Sequence, residues 1–546
     1  MDTVESLAQH AALVAALCDP AAFPHPTGPV ESIETHISTV VLAGEFAYKL
    51  KKPVNLGFVD FSTLPLRHRF CLEEIRLNRR GAPDLYLDVL PITGTLRRPR
   101  IGESAGGAAI EYAVRMRRFA ADARLDQVAR SGRLTPELVD RLAAAISGLH
   151  ARCERAPVDR GYGSVQEVRL RAVENLCELA RGPDSEPMRD RIADLRTWTE
   201  SELTRRAPDI AERQADGHVR ECHGDLHLGN LVLLGDAPVP FDCIEFNDRL
   251  RFIDVINDVA FTFMDLAEHD LVPLAWRLIG AYLEHTGDYP GLALLRFYTV
   301  YRALVRAKIA RIRLHQDGTR PAEQIEDRTA VPRYIEAAAW HAAAGAPRLI
   351  LTCGLAGSGK TTVAQTMLER LGAVRVRSDV ERKRLAGVDP AAHRAETVEA
   401  GLYRPDLTRV TYERLAQAAR AILDARFPAI VDATFIRRSD RQAFRDLARQ
   451  AGVPFSIISC EAPPTTLRAR IERRLQQGSD PSDATREVLE HQLRVFEPLT
   501  PDEQALTIRI DTDTDRDGLQ RRAVELAARL RALAPGSSPA SGTGEK

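Results

Sequence analysis

Leu349-Ile350-Leu351-Thr352-Cys353-Gly354-Leu355-Ala356-Gly357-Ser358-Gly359-Lys360-Thr361-Thr362 decides the architecture of the second half of the chain. An apolar strand runs into the full pattern G-x-x-x-x-G-K-T, and a helix-forming stretch follows. The glycines let successive backbone N–H groups turn toward phosphate oxygens. Lys360 adds a mobile ammonium, Thr361 a hydroxyl for Mg²⁺, and the helix its positive N-terminal end. Gly354, Ala356, Gly357, Ser358, Gly359, Lys360, Thr361 and Thr362 are therefore expected to hold the phosphates of ATP, with Thr361 also a ligand of Mg²⁺. Downstream, the strand-like Val374-Arg375-Val376, Ile430-Val431 and Phe455-Ser456-Ile457-Ile458 alternate with helical stretches. That alternation predicts an α/β P-loop domain with a parallel, doubly wound sheet.

The first half reads differently. Val40-Val41-Leu42, Phe46 to Lys51, Leu85 to Leu90 and Ala109 to Met116 have strand character, and a helix spans Leu66 to Arg80. Past Phe119 the helical period dominates, with one helix starting at Thr135-Pro136. His223-Gly224-Asp225-Leu226-His227-Leu228-Gly229-Asn230 interrupts it, followed by Phe241-Asp242-Cys243. In-line phosphoryl transfer needs a base beside the acceptor hydroxyl and oxygen ligands for Mg²⁺, and kinase loops space that acid and amide as Asp225 and Asn230 are spaced. Asp225 is expected to accept the hydroxyl proton; Asn230 and Asp242 are expected to hold the metal. Asp254 and Asp258 read as scaffold, and Arg302 with Arg306 as a solvated basic helix face.

Bulk properties narrow the alternatives. Lys+Arg 75 against Asp+Glu 76 gives a net charge of -1 over 546 residues, so no global field draws the chain to nucleic acid or an anionic membrane. An aromatic content of 6% is low for base stacking. No run is long enough for a membrane span and the N-terminus is acidic, which predicts a cytoplasmic protein. The 8 cysteines show no C-x-x-C spacing, so neither zinc nor a disulfide framework is indicated. Lysine occurs only at Lys49, Lys51, Lys52, Lys308, Lys360, Lys383 and Lys546. In so arginine-biased a chain, a lysine on a predicted strand or in a P-loop suggests that a compact ammonium is needed.

On these residues the first half resembles the aminoglycoside phosphotransferase family, the small-molecule branch of the protein-kinase-like fold. The resemblance implies an α+β two-lobed domain over 31–335, after an N-terminal entry segment 1–30. It also implies a strand lysine that contacts the phosphates and pairs with a helix glutamate. Lys49 with Glu74 fits, while Lys51 on the same strand face and Glu73 beside Glu74 stay open as alternatives. Glu111 to Phe119, with Met116, would form the hinge at the adenine. No G-x-G-x-x-G precedes Lys49, and no A-P-E follows Asp242. With so little room for an activation loop, a small-molecule hydroxyl is favoured over a protein as acceptor.

Beyond a linker at 336–347, residues 348–535 resemble P-loop kinases of the polynucleotide-kinase and zeta-toxin group, and 536–546 reads as a disordered tail. This second resemblance implies Asp379 as base, Asp432 near the metal, and an arginine lid of Arg470, Arg473 and Arg474 before Gly478 to Asp483, with Arg473 the transition-state contact. The sum is an ATP- and Mg²⁺-dependent tandem kinase. A regulatory ATP-binding protein, or a nucleic-acid 5′-end kinase built on the P-loop half, is the alternative.

Overall fold

The computed structural model describes residues 3–57, 59–102, 107–181, 183–314, 321–343, 345–388, 404–477 and 485–532. Contacts divide the chain into two compact units, Met1–Arg171 with Ile210–Asp265, and Ala172–Asp209 with Leu266–Lys546.

In the first unit, β1 (Glu31–Glu34), β2 (Ser38–Ala43), β3 (Phe46–Lys51), β4 (Tyr86–Thr95), β5 (Arg98–Ile101) and β6 (Glu111–Arg117) form an antiparallel sheet ordered β1-β2-β3-β6-β4-β5. Side chains alternate across β3. Tyr48 and Leu50 enter one face, Ala47, Lys49 and Lys51 the other. The first face is closed by α1 (Thr3–Leu17), whose Leu13 and Leu17 join Ala22 and Phe23 against Val41, Tyr48 and Ile92. The entry segment is thus part of a core, a role that its short amphipathic pattern did not announce. The second face receives α2 (Leu64–Asn78), which begins where the Thr63 hydroxyl accepts from the Leu66 N–H and a proline occupies the first turn. Cys71 and Ile75 of α2 pack on Ala47, Val114 and Met116. Further along come α3 (Pro136–Arg152), the paired β7 (Val219–Glu221) and β10 (Phe252–Asp254), the hairpin β8 (Leu231–Leu234) and β9 (Ala237–Pro240), and α4 (Val255–Glu268).

The second unit holds α5 (Val272–Thr286), α6 (Leu292–Leu314) and α7 (Pro321–Ala342), then β11 (Leu349–Cys353), β12 (Val374–Arg377), β13 (Ala429–Asp432), β14 (Phe455–Glu461) and β15 (Thr507–Asp511). These strands make a parallel sheet ordered β12-β13-β11-β14-β15. β11 is central and wholly buried, which is why it reads as an unbroken apolar run. The interleaved helices are α8 (Lys360–Leu371), α9 (Ser378–Leu385), α10 (Pro405–Asp424), α11 (Arg438–Ala451), α12 (Pro464–Gln477), α13 (Arg486–Val495) and α14 (Arg516–Ala532).

Two expectations change. α7 continues through Ala342, so the expected linker at 336–347 begins inside a helix, because Tyr334, Ile335 and Ala338 are buried and hold it. Arg302 is only 4% exposed, and the Arg306 guanidinium stacks over the Tyr334 ring at 5.5 Å, so this pair is packed rather than solvated. The lid turn Gly478 to Asp483, the Arg474 side chain and the tail 536–546 lie outside the described residues. Among the described residues no helix is long and apolar enough to cross a membrane.

Candidate active sites

The first site is assembled around a chain of alternating charges. Lys49 Nζ donates to Glu74 Oε1 at 2.9 Å and also to Asp242. Lys51 Nζ donates to Glu74 Oε2 at 2.8 Å and also to Glu245. Both lysines therefore meet Glu74, as their shared strand face allows, while Glu73 turns away to Arg76 and Arg251 at 2.7 and 2.9 Å. The difference between the lysines lies in their second partner: Lys49 reaches the candidate metal ligand Asp242, and Lys51 is fully buried on Glu245. Burial would pull the Lys49 ammonium down, but Asp242 and Glu74 outweigh it and hold it well above the usual lysine range. Glu74, buried yet flanked by both ammonium groups, is held below the usual carboxylate range. Glu245 was not legible as a site residue, because nothing local to Cys243-Ile244-Glu245 marks its partner on β3.

The loop that carries Asp225 is held from behind. Asp258 of α4, fully buried, accepts the His223 N–H and the Gly224 N–H at 2.9 Å each. Gly224 adopts φ +87, and a Cβ there would stand 2.8 Å from Leu250 O, so both conformation and space require glycine. Asp254 pairs with Arg213 at 2.7 and 3.0 Å. The Asn230 amide donates to the Asp225 backbone O and to Oδ2, both at 2.9 Å. Phe241 donates to Asn230 O at 3.0 Å and accepts from His223 Nε2 at 2.8 Å, which brings Asp242 beside Asn230 and the Asp225 loop. Asp242 itself sits at φ +63, with its N–H on Tyr86 Oη at 3.0 Å and the next N–H on Asn78 Oδ1 at 2.9 Å. Met116 is buried in the core, and the residues that follow it in the expected hinge, Arg117, Arg118 and Phe119, line an open cleft of about 400 Å³ with Gly44 and Glu45.

In the second site Gly357 and Gly359 both adopt φ +80, and a Cβ on Gly354 would lie 2.6 Å from Cys460 O. Lys360 Nζ bends back onto Leu355 O at 2.9 Å, and the Ala356 N–H is taken by Gln492 Oε1 at 2.8 Å. Burial keeps the Lys360 ammonium below the usual lysine range despite the nearby Asp432. A phosphate group would restore the counter-charge that burial denies it. Asp432 is 5% exposed; its Oδ1 accepts from Thr352 Oγ1 at 3.2 Å, and its Oδ2 has no hydrogen-bond partner among the described residues. Such an orphaned buried carboxylate oxygen fits a hydrated cation. The glycine cradle, Lys360, Thr361 and Asp432 thus suit Mg·ATP. Asp379 stands half-buried in the first turn of α9, which has no side-chain capping bond. Arg473 is exposed, whereas Arg470 donates to Gly357 O at 3.3 Å and Thr514 O at 3.0 Å, so the arginine that touches the loop is Arg470. Their spacing on one helix could not separate them.

Known proteins match both halves. The family described as "Phosphotransferase enzyme family" matches residues 98–298, and that described as "AAA domain" matches residues 349–499. Uncharacterized protein Rv2004c of Mycobacterium tuberculosis (strain ATCC 25618 / H37Rv) is 30% identical over 455 residues, covering 83% of this chain and 88% of the relative; Uncharacterized protein Mb2027c of Mycobacterium bovis gives the same figures. Among solved structures, a choline/ethanolamine kinase family protein from Mesorhizobium loti is similar with a TM-score of 0.35, 14% identity, 60% of this chain and 98% of that chain. A gluconokinase from Sinorhizobium meliloti 1021 gives a TM-score of 0.25, 20% identity, 34% of this chain and 94% of that chain. The chain belongs to the family of these mycobacterial proteins, a kinase-type fusion in which an aminoglycoside-phosphotransferase-like domain precedes a P-loop kinase domain with a parallel, doubly wound sheet.

Proposed function

We propose that the protein is an ATP-dependent tandem kinase, its first domain phosphorylating a hydroxyl of a small molecule and its second a small-molecule or nucleotide-like acceptor. The observation that carries this reading is the line Asp242–Lys49–Glu74 in the same unit as the Asp225–Asn230 loop. A sensor that merely bound nucleotide would have no use for a second carboxylate beside the residues proposed to hold the metal. Lys49 would orient the nucleotide phosphates, and Asn230 and Asp242 would hold Mg²⁺, which when bound supplies charge neutralisation to the transferring group. Asp225, released from the Asn230 amide, would take the acceptor proton. In the second domain Lys360, Thr361 and Asp432 would have the corresponding tasks, and Asp379 would be the base.

The test is a mass-resolved screen of metabolites for ATP-dependent phosphate gain by the full chain and by its Asp225→Asn and Lys360→Ala variants. The full chain is required because residues 266–342 share a compact unit with the P-loop. Products lost selectively in each variant are expected. A parent that only hydrolyses ATP, whatever the acceptor, would replace this reading with a regulatory one.

A further inference from the structure

We infer that Glu284 on α5, inside the segment matched by the phosphotransferase family, is a positioning residue of the P-loop nucleotide site. Arg375 and Arg377 alternate with Val374 and Val376 on β12, so both guanidinium groups leave the same face of the strand. Glu284 Oε1 accepts from Arg375 Nη2 at 2.7 Å and Nε at 3.2 Å, and Oε2 accepts from Arg377 Nη1 at 3.4 Å. The remaining Arg375 nitrogen, Nη1, donates to the backbone O of Thr361 at 3.4 Å. One carboxylate therefore fixes the guanidinium that touches the P-loop threonine. It also fixes the residue from which α9, with Ser378 and Asp379, departs.

The helix that carries Glu284 is seated too closely to drift. A Cβ on Gly280 would lie 2.7 Å from Leu368 Cδ1 of α8, and one on Gly372 would lie 2.9 Å from Trp276 Nε1 of α5. Arg384 of α9 donates to the Glu284 backbone O at 2.6 Å. Burial alone would raise the Glu284 carboxyl, but Arg375 and Arg377 hold it below the usual range, so it is ionised when it grips them. Without it, two guanidinium groups that are 6% and 9% exposed lose this carboxylate, and the geometry at Thr361 and Asp379 relaxes.

The inference rests on the reading that Gly354 to Thr361 holds Mg·ATP, and the test separates the two. The full chain is titrated calorimetrically with a non-hydrolysable ATP analogue, with Mg²⁺ and again with EDTA. The parent should show two sites and Lys360→Ala one. If Lys360→Ala keeps both, the nucleotide reading fails first. Glu284→Gln should keep two sites but weaken the Lys360-dependent one at least 10-fold with Mg²⁺ and much less in EDTA, because the link ends on the threonine that would meet the cation. Arg277→Ala, which removes the α5–α8 ion pair to Glu369 at 2.8 Å and leaves the Glu284 carboxylate in place, should leave both sites intact. Should Glu284→Gln unfold, Arg375→Lys keeps a charge against Glu284 but loses the fork to Thr361 and should give the same Mg²⁺-dependent loss. Parental affinity in the folded Glu284→Gln or Arg375→Lys chain, or equal weakening with and without Mg²⁺, would overturn the inference.

Discussion

Asp258→Asn should loosen the loop that carries Asp225 without touching any residue proposed to act in the transfer. In the parent both carboxylate oxygens accept, one from the His223 N–H and one from the Gly224 N–H, at 2.9 Å each, and His150 Nε2 stands 3.1 Å from Oδ2. The side chain is fully buried, so no water can substitute. An amide has the same outline but one acceptor, and its NH₂ must face a loop N–H. One buried donor is then left unmet, at about 1–3 kcal/mol, and the surviving bond loses its charge-assisted share. A total near 3 kcal/mol corresponds to a roughly 100-fold larger population of the locally opened loop, since about 1.4 kcal/mol is tenfold. Amide hydrogen exchange on a peptide spanning 222–230 reads this directly, with peptides of β11 to β15 as the internal reference. Transfer by the first domain should fall in parallel, while the Lys360-dependent nucleotide site keeps its affinity. Unchanged protection across 222–230 would refute the argument.

Asp225→Asn should cost the first domain about 10²- to 10⁴-fold in transfer while nucleotide binding persists, since an amide keeps the shape but takes no proton; steady-state rates and analogue titration check both halves of that statement. Asp379→Asn should leave Mg·ATP protection against heat unchanged and suppress transfer at the second site, whereas a mere charge role in the first turn of α9 predicts about 0.3–1 kcal/mol of lost stability and an unchanged rate. Burial, with help from Lys52 and Arg67, depresses His10 from 6.5 to about 4, so its neutral form favours the folded state. That contribution is complete above pH 6.5 and is lost as pH falls toward 4, by up to roughly 3 kcal/mol; unfolding midpoints measured across that window should fall, and His10→Gln should flatten the slope.

What the sequence disclosed and what it withheld follow from range. The P-loop, its strand and its helix are contiguous, so local pattern sufficed. The two-residue period of β3 put Lys49 and Lys51 on one face, yet only the fold could show that they share Glu74 and divide Asp242 from Glu245. Glu73 and Glu74 are adjacent on a helix and chemically alike; what separates them is which way α2 turns when Cys71 and Ile75 are buried. Asp258 was legible as scaffold, but its grip on two loop N–H groups was not. Glu284 was the least accessible of all, lying 91 residues from Arg375 in a segment whose family match belongs to the other domain.

The backbone of Asp242 has a consequence for which substitutions there the fold would accept. A non-glycine residue at φ +63 costs about 1–2 kcal/mol unless its surroundings fix it, and here Tyr86 and Asn78 do so through neighbouring N–H groups. Asparagine tolerates that conformation and glycine is relieved by it, so either could replace the acid with little loss of fold, while alanine or a β-branched residue would lose both shape and charge. Loss of the acid at 242 with the fold retained would therefore favour asparagine or glycine over other residues. Asparagine or glycine at that position in a relative would mark a first domain that keeps its fold while losing the carboxylate proposed to hold the metal.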